Sequence, residues 1–367
     1  MTMNKLYPTI LLLCMTWNWN QLYAQHSLQQ VEALQTDPNI YAAQKISQHI
    51  EIDGKMESIW DTVPWSSEFM DIEGLHNAKP QYQTQFKMLW DEAYLYIYAK
   101  LVEPHIWGTL NQHDAIIYHD NDFEVFIKPK LATSSYFEIE INALNTIMDL
   151  MMVKPYRFGG QAIMHWDTKN IKSAVHVEGT LNSPKDTDKY WAVEMAIPFT
   201  SIANFGSNAT PRLNDYWRIN FSRVQWQHDV HEGKYTRKKK NGIIVEENNW
   251  VWSPIGLINM HYPERWGFVQ FVQNEAASKL PPYYHLEKTA WNIYYLQQLY
   301  KNKHQQYSAD LTLLEGYTEL LYENLTKYDI VITLSADKQF YHILLKEKSK
   351  NYYFTIDSHG NYTTNYE

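Results

Sequence analysis

An acidic run, Asp120-Asn121-Asp122-Phe123-Glu124, opens one of the strand-like segments of this 367-residue chain. Carboxylates at such a spacing can hold a hard cation such as calcium or accept protons from hydroxyl groups, and Asp120 and Asp122 are the candidate metal ligands. A solvated cluster capping a turn has the same composition, the spacing is not that of an EF-hand loop, and only Asp122 and Glu124 are guaranteed one face of a strand. Further carboxyls stand at Glu138, Glu140 and Glu194 on neighbouring strand-like segments. Glycoside hydrolysis needs two carboxyls roughly 5 to 10 Å apart across a cleft, but Glu alternating on the solvent face of a half-exposed sheet gives the same pattern.

A second set of residues suits sugars. Trp107 follows Glu103-Pro104-His105-Ile106 and precedes Gly108, Trp166 precedes Asp167, and Trp226 lies three residues beyond Arg223 at a strand end. An indole held on a loop can stack on the apolar C–H face of a sugar ring, and an arginine can present a planar fork to adjacent hydroxyls. Trp107, Trp166, Arg223, Trp226 and Glu124 are therefore the candidate saccharide contacts, with core packing or a structural ion pair as the alternative fate of each. Trp60, Trp191 and Trp217 read as core.

The elements that position these residues follow a period of two. Tyr94, Tyr96 and Tyr98 alternate with Leu95, Ile97 and Ala99; Phe123, Val125 and Ile127 alternate with Glu124, Phe126 and Lys128; Phe137, Ile139 and Ile141 alternate with Glu138, Glu140 and Asn142. Similar segments at 171–178, 191–198, 217–224, 250–252 and 267–272 predict a mainly β fold. Its expected form is an antiparallel two-sheet β-sandwich, jelly-roll or immunoglobulin-like, over residues 46–273. After Pro281-Pro282 the period changes. Trp291, Tyr295 and Leu299 recur at helical spacing, as do Leu311, Leu314, Leu320 and Leu321, and three further strand segments follow. Residues 281–367 thus read as a small α+β extension of unassigned role, set apart from an independently folding sandwich.

Lys5 precedes an apolar run, Leu6 to Trp17, too short for a stable membrane anchor, and Leu22-Tyr23-Ala24 offers small-residue cleavage chemistry. Residues 1–24 read as a signal peptide for export to the periplasm, cell surface or medium, and 25–45 as a polar leader that includes a short helix. The single cysteine, Cys14, falls inside the signal, so the processed chain has neither a disulfide nor a thiolate metal ligand. A net charge of −9 argues against nucleic acid. The basic cluster Arg237–Lys240 ends at Asn241-Gly242 and reads as a solvated hairpin tip. No later segment is long and apolar enough to span a membrane.

Several segments occur in a familiar order: Ile52-Asp53-Gly54 through Trp60, Leu89-Trp90-Asp91-Glu92, Asp120 through Ile127, Trp191 through Pro198, Trp217 through Arg223, and Met260 through Gly267. Together they resemble the carbohydrate-binding module family 9 group, a β-sandwich related to the DOMON domains, and in particular secreted family-9-like proteins of Bacteroidetes-type bacteria. The resemblance covers about residues 46–273. It implies a saccharide-binding sandwich, with calcium in some members and two tryptophans gripping a terminal sugar in the best-known ones. A catalytic glycosidase domain is not recognisable beside it. The expected function is that of a secreted carbohydrate-binding protein in polysaccharide recognition or breakdown, acting alone or in a cell-surface glycan-degrading assembly. The alternatives are a glycoside hydrolase, or a haem-binding DOMON-like domain drawing on Met148, Met151, Met152, His113 and His119.

Overall fold

The computed structural model describes residues 27–129, 131–203, 209–274 and 278–366; the signal expected at 1–24 lies outside them. Helix α1 (Leu28–Ala33) is started by a reciprocal cap in which Ser27 Oγ accepts from the Gln30 amide and the Gln30 side chain accepts from the Ser27 amide. The chain then enters β1 (Ile40–Lys45), β2 (Met70–Asp71), β3 (Thr84–Trp90), β4 (Tyr94–Val102), β5 (Asp122–Lys128), β6 (Tyr136–Asn142) and β7 (Ile147–Met152). Next come β8 (Ala162–Ile163), β9 (Lys172–Glu178), β10 (Tyr190–Pro198) and β11 (Tyr216–Gln225). Two small hairpins follow, β12 (His228–His231) with β13 (Lys234–Arg237), and β14 (Lys239–Lys240) with β15 (Ile243–Ile244); β16 (Asn248–Val251) and β17 (Gly267–Val272) complete this series.

Thirteen strands form one sheet in the order β8-β7-β6-β5-β11-β17-β1-β3-β4-β10-β9, with β16 on β11 and β2 on β16. The sheet curls, so that Phe123, Val125 and Ile139 from one end and Ile97, Val193 and Met195 from the other share a single dry core. Mainly β architecture is therefore observed, but the expected pair of separate antiparallel sheets is not. The ladder is continuous and mixed, because β1 lies parallel to both β17 and β3, with Ile40 against Phe268 and Gln44 against Leu89. The supposed leader thus supplies a central strand. Its Tyr41 points inward and is satisfied there, donating to the Pro64 carbonyl at 2.8 Å and accepting from the Met88 amide at 3.2 Å.

Glu194, weighed as a catalytic carboxyl, ties down the Asp53-Gly54 turn. One of its oxygens accepts from the Asp53 and Gly54 amides, both at 3.0 Å, and the other from the Trp60 indole at 2.9 Å. Gly54 sits at φ 82°, with the His176 backbone so near that a Cβ would clash. At the tip of the last hairpin Asn241 and Gly242 are both left-handed, which matches the twist of the strands they join.

The segment after Pro281-Pro282 forms α2 (Tyr284–His304), two short turns α3 (Tyr317–Leu320) and α4 (Tyr322–Leu325), and an antiparallel sheet of β18 (Tyr328–Leu334), β19 (Tyr341–Glu347), β20 (Tyr353–Asp357) and β21 (Tyr362–Asn365). It is not set apart in packing. Phe126, Tyr136 and Leu150 of the large sheet and Trp266 just before β17 share one cluster with Leu286, Trp291, Tyr295, Ile343 and Phe354. Arg218 of β11, fully buried, donates to the Trp266 carbonyl at 2.6 Å and pairs with Glu287 of α2 at 3.0 Å. The elements change character after Pro281-Pro282, and residues on both sides of that point share this core. No helix among the described residues is long and apolar enough to cross a membrane.

Candidate functional site: an acidic cleft on the outer face of the sheet

Strands β5 and β6 turn Phe123, Val125, Phe137 and Ile139 into the core, so Asp122, Glu124, Glu138 and Glu140 must face outward. On a bare sheet these carboxyls would be solvated, as the alternation suggested. Here segments 116–118, 156–164 and 258–261 close over them, and Glu138 and Glu140 retain only 5% and 2% of their surface. The result is a cleft of about 470 Å³ with Glu124, Glu138 and Glu140 on its floor and Tyr118, Tyr156 and His261 in its walls. Its rim keeps two large rings in contact with water, Tyr118 and Tyr156, each about two-fifths exposed.

The floor crowds like charges. Glu124 is directly opposite Glu140 in the ladder, and oxygens of Asp122, Glu124 and Glu140 lie within 4.8 Å of one another. Burial is the main cause that pushes Glu124 up to about 7 and Glu138 up to about 8, with the charge of Glu247 adding at Glu124 and that of Glu124 adding at Glu138. Burial followed by the charge of Glu124 raises Asp122 and Glu140 well above the usual carboxylate range. The floor therefore keeps protons at neutral pH and can both donate and accept hydrogen bonds. One oxygen of Asp122 and one of Glu138 are buried without a partner. His261 is held neutral, pushed down to about 4 by burial and by the charge of Arg157, and its Nδ1 lies 2.7 Å from the Tyr136 hydroxyl.

Of the residues singled out from sequence, Glu124 lines this cleft, and Asp122 lies fully buried beside it, within 4.8 Å of Glu124 and Glu140 and accepting from the Val224 amide. Asp120 does not line the cleft: it accepts from the Thr109 amide (2.7 Å), the Thr109 hydroxyl (2.8 Å), the Leu110 amide (2.9 Å) and Asn142 (3.0 Å), which uses its lone pairs as a turn cap. Trp107 is 2% exposed, packed with Val224, Trp226 and Tyr235, so it is not the open platform its loop setting suggested. Trp226 is buried in the same cluster beneath the Arg237 guanidinium. Its indole donates to the Tyr118 carbonyl at 2.7 Å, so it props a cleft wall from behind. Arg223 is fully buried, ion-paired to Glu103 at 3.0 Å and bonded to Gln225 and Thr84; the hydroxyl clamp is replaced by a structural pair. Trp166 is half-buried against Phe137, ring centres 4.7 Å apart. The haem candidates are not gathered: Met151 enters the inner core, Met148 and Met152 face the opposite side of the sheet, and His113 is engaged by carboxylates.

Sequence reasoning missed Tyr118, Tyr156 and His261, which lie in irregular segments with no period to place them. The available signal was the phase of Glu138 and Glu140, which matches that of Glu124 across the pair. In donor type Asp122, Glu124 and Glu140 fit calcium, the ion that the resemblance implies for some members, since all are oxygen ligands and Asp122 keeps a free oxygen.

A family model described as carbohydrate family 9 binding domain-like matches residues 52–240, more than half of the chain. Among solved structures, a candidate carbohydrate-binding protein from Bacteroides uniformis is similar at 14% identity and TM-score 0.44, covering 64% of this chain and 100% of its own. Two structures of a carbohydrate binding module family 9 from Caldicellulosiruptor kristjanssonii, one with glucose and one with cellotriose, are similar at 15% and 16% identity with TM-scores 0.38 and 0.40; each covers 66% of this chain and 100% of its own. A comparison with curated proteins found no match. The matched residues run from the Asp53-Gly54 turn through β5 and β6, which carry the acidic floor, to β14, and on that match the chain belongs to the carbohydrate family 9 binding domain-like proteins.

Proposed function

We propose that this chain binds saccharide in the acidic cleft, with Tyr118 and Tyr156 stacking on a sugar ring and Glu124, Glu138 and Glu140 engaging its hydroxyls. The observation that carries the reading is the conjunction of two exposed tyrosine rings with a floor of proton-retaining carboxyls, one of whose buried oxygens has no partner. A floor of this kind matches the mixed donor and acceptor edges of a polyol. The acid excess of the whole chain, a net charge of −9, selects against negative charge, so the ligand is a neutral or amino-bearing glycan rather than a uronate or sulfated one. Family membership supports the same reading, and residues 1–24 support export as the setting in which a glycan is met. Calcium, if held by Asp122, Glu124 and Glu140, would supply positive charge that lets these carboxyls ionise.

The test is an array spanning neutral, amino, uronate and sulfated glycans, followed by calorimetry on the best ligand with Tyr118→Ala, Tyr156→Ala and Glu138→Gln. Losing a stacking anchor commonly costs about 2 kcal/mol, or some thirtyfold in affinity. Parental affinity in all three variants would place the site elsewhere. A second reading, glycoside hydrolysis, draws on one observation: Glu124 and Glu140 stand directly opposite each other in the cleft floor, a pair of carboxyls such as retaining enzymes use. Release of a chromogenic leaving group, lost in Glu124→Gln and Glu140→Gln, would establish it.

A further inference from the structure

On the far side of β7 a second group of side chains converges. His113 Nδ1 lies 2.9 Å from the Ile147 carbonyl oxygen, which can only accept, so Nδ1 carries the proton of the neutral ring. The other ring nitrogen, Nε2, then holds a lone pair. It faces three carboxylates: Asp167 Oδ1 at 3.3 Å, Asp114 Oδ1 at 3.6 Å and Asp149 Oδ1 at 3.8 Å. Asp149 is 1% exposed, and its Oδ1 and that of Asp114 are buried without a hydrogen-bond partner.

The acceptors of His113, Asp114 and Asp149 lie within 4.8 Å of one another and repel unless a positive charge sits among them, with Asp167 beside the imidazole at the mouth. A proton on Nε2 would satisfy the Asp167 oxygen and leave those of Asp114 and Asp149 unpaired, whereas a cation among His113, Asp114 and Asp149 satisfies all three. The spacing agrees, since ligands at about 2.1 Å around a tetrahedral ion lie roughly 3.4 Å apart. The supports are also those of a metal site. The Asp149 Oδ2 atom accepts from the Thr168 amide, which aims Oδ1 inward, and Asp114 is held at φ 61° by its own amide bond to the same Ile147 carbonyl. His113 and Asp167 are half-exposed, which leaves a route for the ion.

We infer that His113, Asp114 and Asp149, with Asp167 at the mouth, form a binding site for a first-row divalent transition-metal ion. The imidazole is what separates this site from the oxygen-only set in the acidic cleft and selects zinc-like ions over calcium. The ion would clip together the 111–116 loop, β7 and the 164–170 loop, whose members Ile116 and Met164 also line the acidic cleft.

The full chain, stripped with chelator and supplied with millimolar calcium to fill oxygen-only sites, is titrated with zinc by calorimetry. One zinc per chain is expected, with affinity reduced at least about a hundredfold in His113→Ala and Asp149→Asn and unchanged in Asp122→Asn. X-ray absorption of the zinc-loaded parent gives a readout independent of variant folding: one imidazole nitrogen with two or three oxygens is expected. Absence of zinc binding, an oxygen-only shell, or full affinity in folded His113→Ala overturns the assignment. Sugar binding plays no part in these measurements, so the two proposals fail separately.

Discussion

Arg223 carries its charge where water cannot reach it, against a Glu103 carboxylate that is itself buried. Removing one partner of such a pair strands the other, at a typical cost of about 3–5 kcal/mol. Arg223→Ala should therefore shift the denaturation midpoint strongly downward, and a variant of parental stability would show that the pair is dispensable. The acidic floor makes an opposite kind of prediction. Burial raises Glu124 to about 7 and Glu138 to about 8, above the ordinary value of 4.5, so the folded state binds more protons than the unfolded one between these limits. The stability these groups contribute is present below 4.5 and is lost as pH rises through 7 and 8. In chelator, the melting temperature should fall over that window, and Glu138→Gln should flatten the fall; an equal slope in parent and variant would refute the assignment.

At the scale of elements, α2 and the small sheet cover the outer face of the large one through Trp291, Tyr295 and the Arg218–Glu287 pair. A chain ending at Val272 leaves Phe126, Tyr136 and Trp266 uncovered and Arg218 unpaired. It should bind hydrophobic dye and unfold with a shallow transition, and a cooperative, soluble fragment would count against the shared core. The strands themselves were legible, because inward Phe, Val and Ile at every second position can be satisfied only by a sheet with one buried face. The floor of the site was not, since period two assigns Glu138 and Glu140 to a face but says nothing of the distant loops that cover it. Nor was β1: Ile40–Lys45 buries only two side chains, and its partners are far along the chain. The helical spacing of Leu311, Leu314, Leu320 and Leu321 breaks at Gly316, left-handed at φ 88° with Leu28 pressed against it, so short turns replace one helix.

For the whole molecule, the excess of acid sets which ligands approach. With a net charge of −9, uronate-rich glycans should associate only weakly and improve with added salt, while neutral glycans should be insensitive to it. Equal salt dependence for both classes would remove electrostatic selection from the account. The central position of β1 bears on how the molecule comes into being. Its partner on one side, β17, lies more than two hundred residues away, Ile40 against Phe268. Until that pairing forms, the early strands β1, β3 and β4 keep an open edge at β1, and the β17 edge does not yet exist during synthesis from the N-terminus. Sheet closure is therefore a late, high-contact-order event that local hairpins cannot anticipate. The nascent chain carries the outer edge of β1 with no sealing partner until nearly three-quarters of its length has been made, which is the interval in which it is most open to strand-edge aggregation and to capture by chaperones.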